Sequence, residues 1–224
     1  MGEAGEKPRN TVAGCRVKWK AAPEELLSVY RVLSTVLAGS DFYLAGGTAL
    51  AFQLGHRISV DLDFMSATFE DPEDLLRLLR DRRLKFETTL ISKGTLYLDV
   101  DGVQVSFFAY RYPMLAPLIR PSDGLLPLAH PDDIAAMKLA AITSRGSRKD
   151  FIDLWCLIRE GCSLDSCLGL FRRKYSSRDI GHVIRSLTYF DDADLDPEPR
   201  MLIKVSWEQI MADFIAWVDA LLAY

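Results

Sequence analysis

The period of the hydrophobic pattern changes once along this 224-residue chain, and that change constrains the fold more than any other feature. Before about residue 115, period-two apolar stretches alternate with stretches of helical spacing. After the proline-rich passage 113–131, only helical spacing remains. We therefore predict an α+β chain with an α/β domain over 21–115 and a helical domain over 116–224. Residues 1–20 lack an apolar core and are predicted to form a disordered leader.

Local signals place the elements within each half. Proline or aspartate begins several predicted helices, glycine ends others, and Asp101-Gly102 indicates a hairpin turn. The first half contains the predicted strands DFYLAG, SVDLDFM, LKFETTLIS, TLYLDV and VQVSFFAY, and the predicted helices PEELLSVYRVLSTVLAG, GTALAFQLG and DPEDLLRLLRDRR. The second half contains predicted helices at 131–144, 148–160, 164–175, 179–189 and 206–222. The stretch DDADLDPEPR is predicted to be a solvated acidic loop.

Composition excludes two classes of protein. The net charge of −4 argues against a protein that coats nucleic acid non-specifically, although it allows a local basic patch. No apolar run approaches the roughly 20 residues that span a bilayer, so we expect no membrane segment and a cytoplasmic location. The cysteines at 15, 156, 162 and 167 lack metal-ligand spacing and are interpreted as reduced thiols.

Asp61 and Asp63 form a pair of carboxylates within a predicted strand. Residues two apart in a strand share a face, so both side chains project together while Leu62 and Phe64 face the core. Adjacent carboxylates repel each other unless a cation lies between them, and oxygen ligands suit Mg²⁺, which recruits substrate phosphates. A solvent-facing acidic strand is the alternative.

Gly46 and Gly47 lie where a predicted strand turns into a helix. Glycine there lets the backbone approach a ligand, the free N–H groups of a helix start bind phosphate, and the Thr48 hydroxyl adds a donor. A tight turn that needs positive φ is the simpler explanation. A phosphate loop shortly before a paired-carboxylate strand favours a nucleotide and metal site.

These residues carry a resemblance to a known family. GGTAL followed by HRISVDLDF resembles the motif of polymerase-β-type nucleotidyltransferases, and MKLAAITSRGSRKDFIDLWCL resembles the second block of the AbiEii/AbiGii-type toxins. The resemblance covers roughly residues 25–190. It implies a minimal nucleotidyltransferase domain, with a mixed sheet flanked by helices, followed by a C-terminal helical bundle.

The resemblance also implies a mechanism. Gly46, Gly47 and Thr48 would cradle the triphosphate of an NTP, and Asp61 and Asp63 would hold Mg²⁺, with Mn²⁺ as an alternative. Two such ions ~4 Å apart can bind an attacking hydroxyl and stabilise departing pyrophosphate.

The third carboxylate of polymerase-β-type enzymes is missing from its usual place. The corresponding strand is GVQVSFFAY, and the expected position holds Ser106. Asp150 is our candidate for the missing acid, as metal ligand or general base, and a helix-capping charge is its alternative role. Asp153 is interpreted as a structural support that could pair with Lys149 at i, i+4 spacing.

Four basic residues complete the predicted site: Arg57, Lys138, Arg145 and Lys149. Lys138 belongs to the block that resembles the AbiEii/AbiGii-type toxins, and this resemblance implies that it reaches into the cleft as a point charge on the triphosphate. We assign it to both catalysis and nucleotide binding. Arg57 either contacts a phosphate or pairs with Asp61. Arg145 and Lys149 are assigned to nucleotide binding.

The resemblance implies an enzyme that transfers a nucleotide from an NTP to an acceptor. The expected acceptor is RNA, the tRNA 3′ end, and the expected context is an abortive-infection or toxin–antitoxin system with a cognate antitoxin. The basic stretch RRKYSSR at 172–178 either follows an RNA backbone or is a solvated helix face. A catalytically impaired nucleotide- or RNA-binding regulator and an enzyme that attaches AMP or UMP to protein remain alternatives.

Overall fold

The computed structural model describes residues 17–223, and its centre is one five-stranded mixed sheet. The strands are β1 (Tyr43–Leu44), β2 (Asp61–Ser66), β3 (Glu87–Ser92), β4 (Thr95–Val100) and β5 (Val103–Ala109). Their order is β1-β2-β5-β4-β3. Strands β2 and β5 run parallel, whereas the other neighbours are antiparallel. The predicted α+β class with a mixed sheet is confirmed.

Helices surround the sheet and form the second half of the chain. They are α1 (Glu24–Val36), α2 (Gly46–Leu54), α3 (Pro72–Asp81), α4 (Pro131–Ser144), α5 (Arg148–Arg159), α6 (Leu164–Tyr175), α7 (Gly181–Ser186), α8 (Asp191–Leu195) and α9 (Trp207–Leu222). The predicted bounds of α4 and α6 agree with the structure. Helix α8 was not predicted, because its sequence DDADL has the composition of a loop.

The two faces of the sheet differ in chemistry because side chains alternate along each strand. Leu62 and Phe64 on β2 and Val105 and Phe107 on β5 are fully buried, and α1 packs on these strands. Asp61 and Asp63 project from the opposite face of β2 and are only partly buried. The predicted alternation along this strand is therefore confirmed.

The proline-rich passage between the two halves is tied to the sheet. Leu44 donates its N–H to the Pro127 carbonyl at 2.8 Å, and the Ala129 N–H donates to the Leu44 carbonyl at 2.8 Å. One buried core then runs from Val17 to Val218 through both halves. The division at residue 115 stays a prediction.

The beginning of the described chain corrects one expectation. Of the predicted leader 1–20, residues 1–16 lie outside the described range. The Lys18 N–H donates to the Phe52 carbonyl at 2.7 Å, and Trp19–Ala21 forms a short 3-10 helix, so residues 17–20 are folded. They are held there because Val17 is buried in the core.

The described cysteines are buried, and Cys15 lies outside the described residues. The Cys167 thiol donates to Cys162 Sγ at 3.0 Å. Burial raises the pKa of the Cys156 thiol to about 12. Across residues 17–223 there is no helix with the length and hydropathy needed to cross a bilayer.

Candidate active site

The first glycine of the pair brings the start of α2 against the carboxylate strand. Gly46 has a φ of +64°, and a Cβ there would lie 2.8 Å from Asp63 Oδ2. Just before it, the Ala45 N–H donates to the Asp63 carbonyl at 2.8 Å. A side chain at Gly46 would be strained by the backbone conformation and would displace the carboxylate.

The second glycine is required by space rather than by conformation. The φ of Gly47 is not positive, but a Cβ there would lie 2.1 Å from Arg57 Nη2 and 3.2 Å from Asp153 Oδ2. The turn hypothesis therefore accounts for Gly46, whereas Gly47 makes room for a buried guanidinium.

Thr48 lies at the predicted position but its hydroxyl faces inward. The residue is buried, and its Oγ1 is 2.8 Å from Ser59 Oγ and hydrogen bonds to the Asp61 carbonyl. The prediction that this hydroxyl is a free donor for the triphosphate is therefore corrected, because the strand backbone already accepts its proton. Thr48 instead fixes the start of β2 against α2.

The carboxylate pair lies beside the start of α2. Burial and the neighbouring Asp61 carboxylate raise the pKa of Asp63, while Lys138, Lys149 and Arg145 partly offset the rise. Lys149 is the nearest of these cations to the other carboxylate, with its Nζ 3.9 Å from Asp61 Oδ2. The ionised form of Asp63 is thus disfavoured by burial first and by its like-charged neighbour second.

Lys138 lies at the centre of a buried ion-pair network. Its Nζ is 2.7 Å from Asp150 Oδ1 and 2.7 Å from Asp153 Oδ2. Burial alone would lower the pKa of Lys138, but Asp153 and Asp150 outweigh it and raise that pKa. The lysine also lines the cleft, as predicted, although its charge is shared by two carboxylates.

Asp150 is placed behind the cleft rather than in it. Its side chain is fully buried, and both oxygens accept hydrogen bonds, from Lys138, Arg145 and Ser147. Burial opposes ionisation, but Lys138 and Arg145 lower the pKa of Asp150 to about 2. A buried carboxylate whose two oxygens both accept hydrogen bonds suits support of two cations, and its predicted role as metal ligand or general base stays a prediction.

Arg57 pairs with Asp153 and not with Asp61, the partner considered in the sequence analysis. Its Nε and Nη2 donate to Asp153 Oδ1 and Oδ2 at 2.7 and 2.9 Å, not to Asp61. His56 Nε2 lies 2.7 Å from the same Oδ1. Burial would raise the pKa of Asp153, but Lys138 and Arg57 hold it well below its usual range. Asp153 therefore supports three partners, Lys138, Arg57 and His56, and it does not pair with Lys149.

These elements enclose one cleft of about 460 Å³. Of the predicted site residues, all but Asp150 line it: Gly46, Gly47, Thr48, Arg57, Asp61, Asp63, Lys138, Arg145 and Lys149. A further wall comes from Asp196–Arg200, the end of the predicted solvated loop. We name this segment the strap. The sequence carried no signal for its position, because two prolines and two acids indicate only a loop.

The strand register supports the expected absence of a third carboxylate. Asp63 is paired with Ser106 on the parallel strand β5, and Asp61 with Gln104. Asp99, one strand further, accepts from the Gly102 N–H at 2.8 Å and caps its own hairpin. Among the described residues, no group of three or more His, Cys, Asp or Glu side chains could hold a metal ion.

The two carboxylates nevertheless suit Mg²⁺. They project from one strand face, their like charges repel each other, and the adjacent helix start faces the same cleft. Mg²⁺ commonly binds through one or two carboxylates and completes its shell with water and substrate phosphates. The residues present therefore fit the ion when a nucleotide accompanies it.

Solved structures of other proteins share this fold. The Helicobacter pylori protein JHP933 is similar in structure, with a TM-score of 0.54 and 18% identity, covering 87% of this chain and 89% of that one. A second H. pylori protein, described as a candidate nucleotidyltransferase, has a TM-score of 0.52 and 15% identity, covering 88% and 94%. These similarities establish the fold.

Sequence comparison then gives the family. A protein-family model described as nucleotidyl transferase AbiEii toxin, type IV TA system, matches residues 28–122 and 112–220 of this chain. The chain therefore belongs to the AbiEii nucleotidyltransferase toxin family, which confirms the predicted resemblance and makes it a nucleotidyltransferase. An uncharacterised protein of Aquifex aeolicus (strain VF5) is 39% identical over 194 residues, 85% of this chain and 92% of that protein.

Proposed function

We propose that this protein is a Mg²⁺-dependent toxin that transfers a nucleotide from an NTP to RNA, with the tRNA 3′ end as acceptor. The observation that carries the proposal is the single cleft in which the N-terminus of α2 faces Asp61 and Asp63. A cognate antitoxin and a cytoplasmic location belong to the same proposal. Family membership supports the antitoxin, and the RNA acceptor rests on the resemblance.

The residues of the cleft divide the work. The backbone N–H groups of Gly46 and Gly47 at the helix start bind phosphate oxygens, and Lys138 and Arg145 add positive charge behind them. Asp61 and Asp63 hold the metal, which when bound supplies charge neutralisation at the transferring phosphate. Gly47 keeps space for Arg57, whose pair with Asp153 fixes the wall of the cleft.

The transfer conserves atoms and charge without a protein nucleophile. The acceptor hydroxyl oxygen bonds to the α-phosphorus, and the bond from that phosphorus to the oxygen of the β-phosphate breaks. Pyrophosphate leaves, and the hydroxyl proton passes to a carboxylate of the cleft. Such chemistry depends mainly on positioning and electrostatic stabilisation, which is what this arrangement of charges provides.

The test is transfer of label from each α-labelled NTP to total tRNA or to the protein itself. We expect label in tRNA with wild-type protein, and at least about a hundredfold less with Asp61→Asn or Asp63→Asn, because loss of a metal-bound carboxylate removes charge stabilisation. Asp99→Asn is the matched control, since Asp99 lies on the same sheet but outside the cleft.

Three other outcomes would contradict parts of the proposal. Label in the protein rather than in tRNA would favour the AMP- or UMP-transferring enzyme. Nucleotide binding without any transfer would favour an impaired regulator, for which Ser106 opposite Asp63 is the structural reason. Full transfer by both aspartate variants would exclude the metal role of the pair. Circular dichroism should confirm that each variant is folded.

A further inference from the structure

The strap Asp196–Arg200 is anchored to the cleft at both ends. At its start, Asp196 Oδ2 accepts the Arg148 N–H at 2.9 Å, at the first residue of α5. At its end, the Arg200 carbonyl accepts the Ile58 N–H at 2.8 Å, and the Leu202 N–H donates to the His56 carbonyl at 2.8 Å. The strap is thus fixed to the backbone that leads into the carboxylate strand.

Its sequence also makes the strap stiff. Asp196 has φ −73° and ψ 144°, an extended conformation. Pro197 and Pro199 have their φ angles locked by their rings, and a residue before proline is restricted to extended conformations, which applies to Glu198. Little conformational entropy is therefore lost when this wall of the cleft receives a ligand.

Three of the cations that line the cleft are already paired with buried carboxylates. Arg57 is bidentate to Asp153, Arg145 to Asp150, and Lys138 contacts both carboxylates. Two carboxylates thereby partly neutralise three cations, and the N–H donors of these cations are held in place by hydrogen bonds to the carboxylates. The three cations therefore attract an incoming triphosphate with only part of their positive charge.

Arg200 differs from these cations. Its side chain is exposed, it lines the cleft, and within residues 17–223 its guanidinium has no ion-pair or hydrogen-bond partner. A guanidinium offers two parallel donors to a phosphate and is weakly hydrated, so it binds phosphate with more geometric specificity than an ammonium. Its backbone carbonyl is held near β2 by the contact with Ile58.

We propose that Arg200 is a phosphate-binding residue for the NTP, contributed to the cleft by the strap. The inference rests on the proposed function and adds a residue outside the blocks that carried the sequence resemblance. The guanidinium contacts the triphosphate from the wall formed by the strap, while the start of α2 and the buried network provide the other contacts.

The experiment measures binding of each NTP, as its non-reactive α,β-methylene analogue with Mg²⁺, by isothermal titration calorimetry. We expect Arg200→Gln to raise the Kd about tenfold or more, because a charge-assisted bidentate contact is lost. Arg200→Lys should recover part of that loss, since it restores charge without the fork. Lys204→Gln, an exposed cation outside the cleft, should leave the Kd unchanged.

Tripolyphosphate as a competitor separates a phosphate contact from a general structural role. Its inhibition constant should rise with Arg200→Gln in parallel with the Kd. An unchanged Kd in Arg200→Gln, or weaker binding of tRNA with the NTP affinity intact, would overturn the inference and leave the proposed function standing. A wild-type protein that binds no NTP would instead overturn the proposed function itself.

Discussion

At the scale of single residues, the absence of side chains at Gly46 and Gly47 determines the shape of the cleft. The space of a missing side chain at Gly47 is filled by the guanidinium of Arg57, which is buried and held by two hydrogen bonds to Asp153. Arginine ends are usually flexible, but this one cannot move without breaking a buried ion pair. The glycine is therefore part of the charge network.

Gly47→Ala should destabilise the protein by about 1–3 kcal/mol, because the added methyl group overpacks a fixed guanidinium. Gly169→Ala is the matched control: Gly169 lies within α6, and a Cβ there meets nothing within 4 Å. It should stabilise the protein by about 0.5–1 kcal/mol through helix propensity. Urea unfolding measures both, and equal midpoints for the two variants would contradict this explanation.

At the scale of elements, α5 organises the cleft by placing two buried carboxylates one turn apart. Asp150 and Asp153 hold Lys138 from α4 together with Arg145 and Arg57. Both carboxylates have lowered pKa values in the folded protein. A lowered pKa stabilises the fold above the unfolded pKa of about 4, and this stabilisation is lost as the pH falls toward the folded pKa.

The stability of Asp150→Asn, measured as a function of pH, should reveal the contribution of this ionised carboxylate. A shift of the pKa from 3.8 to about 2 corresponds to about 2 kcal/mol of stability at pH 6, which asparagine cannot supply. The difference in free energy of unfolding between wild type and variant should shrink by more than half as the pH falls from 6 to 2. Unfolding by guanidinium chloride at several pH values across this range measures the difference.

Asp74→Asn is the control for that series. Asp74 is exposed and pairs with the exposed Arg77, so the variant should stay within about 0.5 kcal/mol of wild type at pH 6. A difference between wild type and Asp150→Asn that does not change with pH would contradict the ion-pair explanation.

The elements also show which information was local. The bounds of α4 and α6 were predicted because caps and apolar spacing lie within the helix itself. The pair of Arg57 and Asp153 spans 96 positions, and no local pattern indicates it. The role of Thr48 and the position of the strap were missed because both depend on tertiary contacts made outside the element's own sequence.

At the scale of the whole molecule, a second buried ion pair in the helical half holds the passage that connects the two halves. Lys174 on α6 lies 2.6 Å from Asp133 Oδ1 on α4 and donates to the Pro113 carbonyl at 3.0 Å. Asp133 also accepts the N–H groups of Leu115 and Ala116. Lys174 is therefore a structural residue, and neither alternative for the stretch 172–178, an RNA contact or a solvated helix face, applies to it because its side chain is fully buried.

Lys174→Met should lower the free energy of unfolding by about 3–5 kcal/mol, since it leaves a buried carboxylate without its cation. Arg173→Met, at an exposed neighbouring position, should change it by less than about 0.5 kcal/mol. Tryptophan fluorescence and circular dichroism should report one coincident transition, because the core is continuous. Two separate transitions would instead support independent domains divided near residue 115.

The position of the strap has a consequence for the cell that makes this protein. Translation proceeds from the N-terminus, and the glycine pair, Asp61 and Asp63 are synthesised more than a hundred residues before Asp196–Arg200. A nascent chain that exposes the carboxylate strand still lacks one wall of the cleft and, on our inference, one of its phosphate contacts. For a toxin whose proposed acceptor is tRNA, this order delays full nucleotide binding while the ribosome is still elongating the chain.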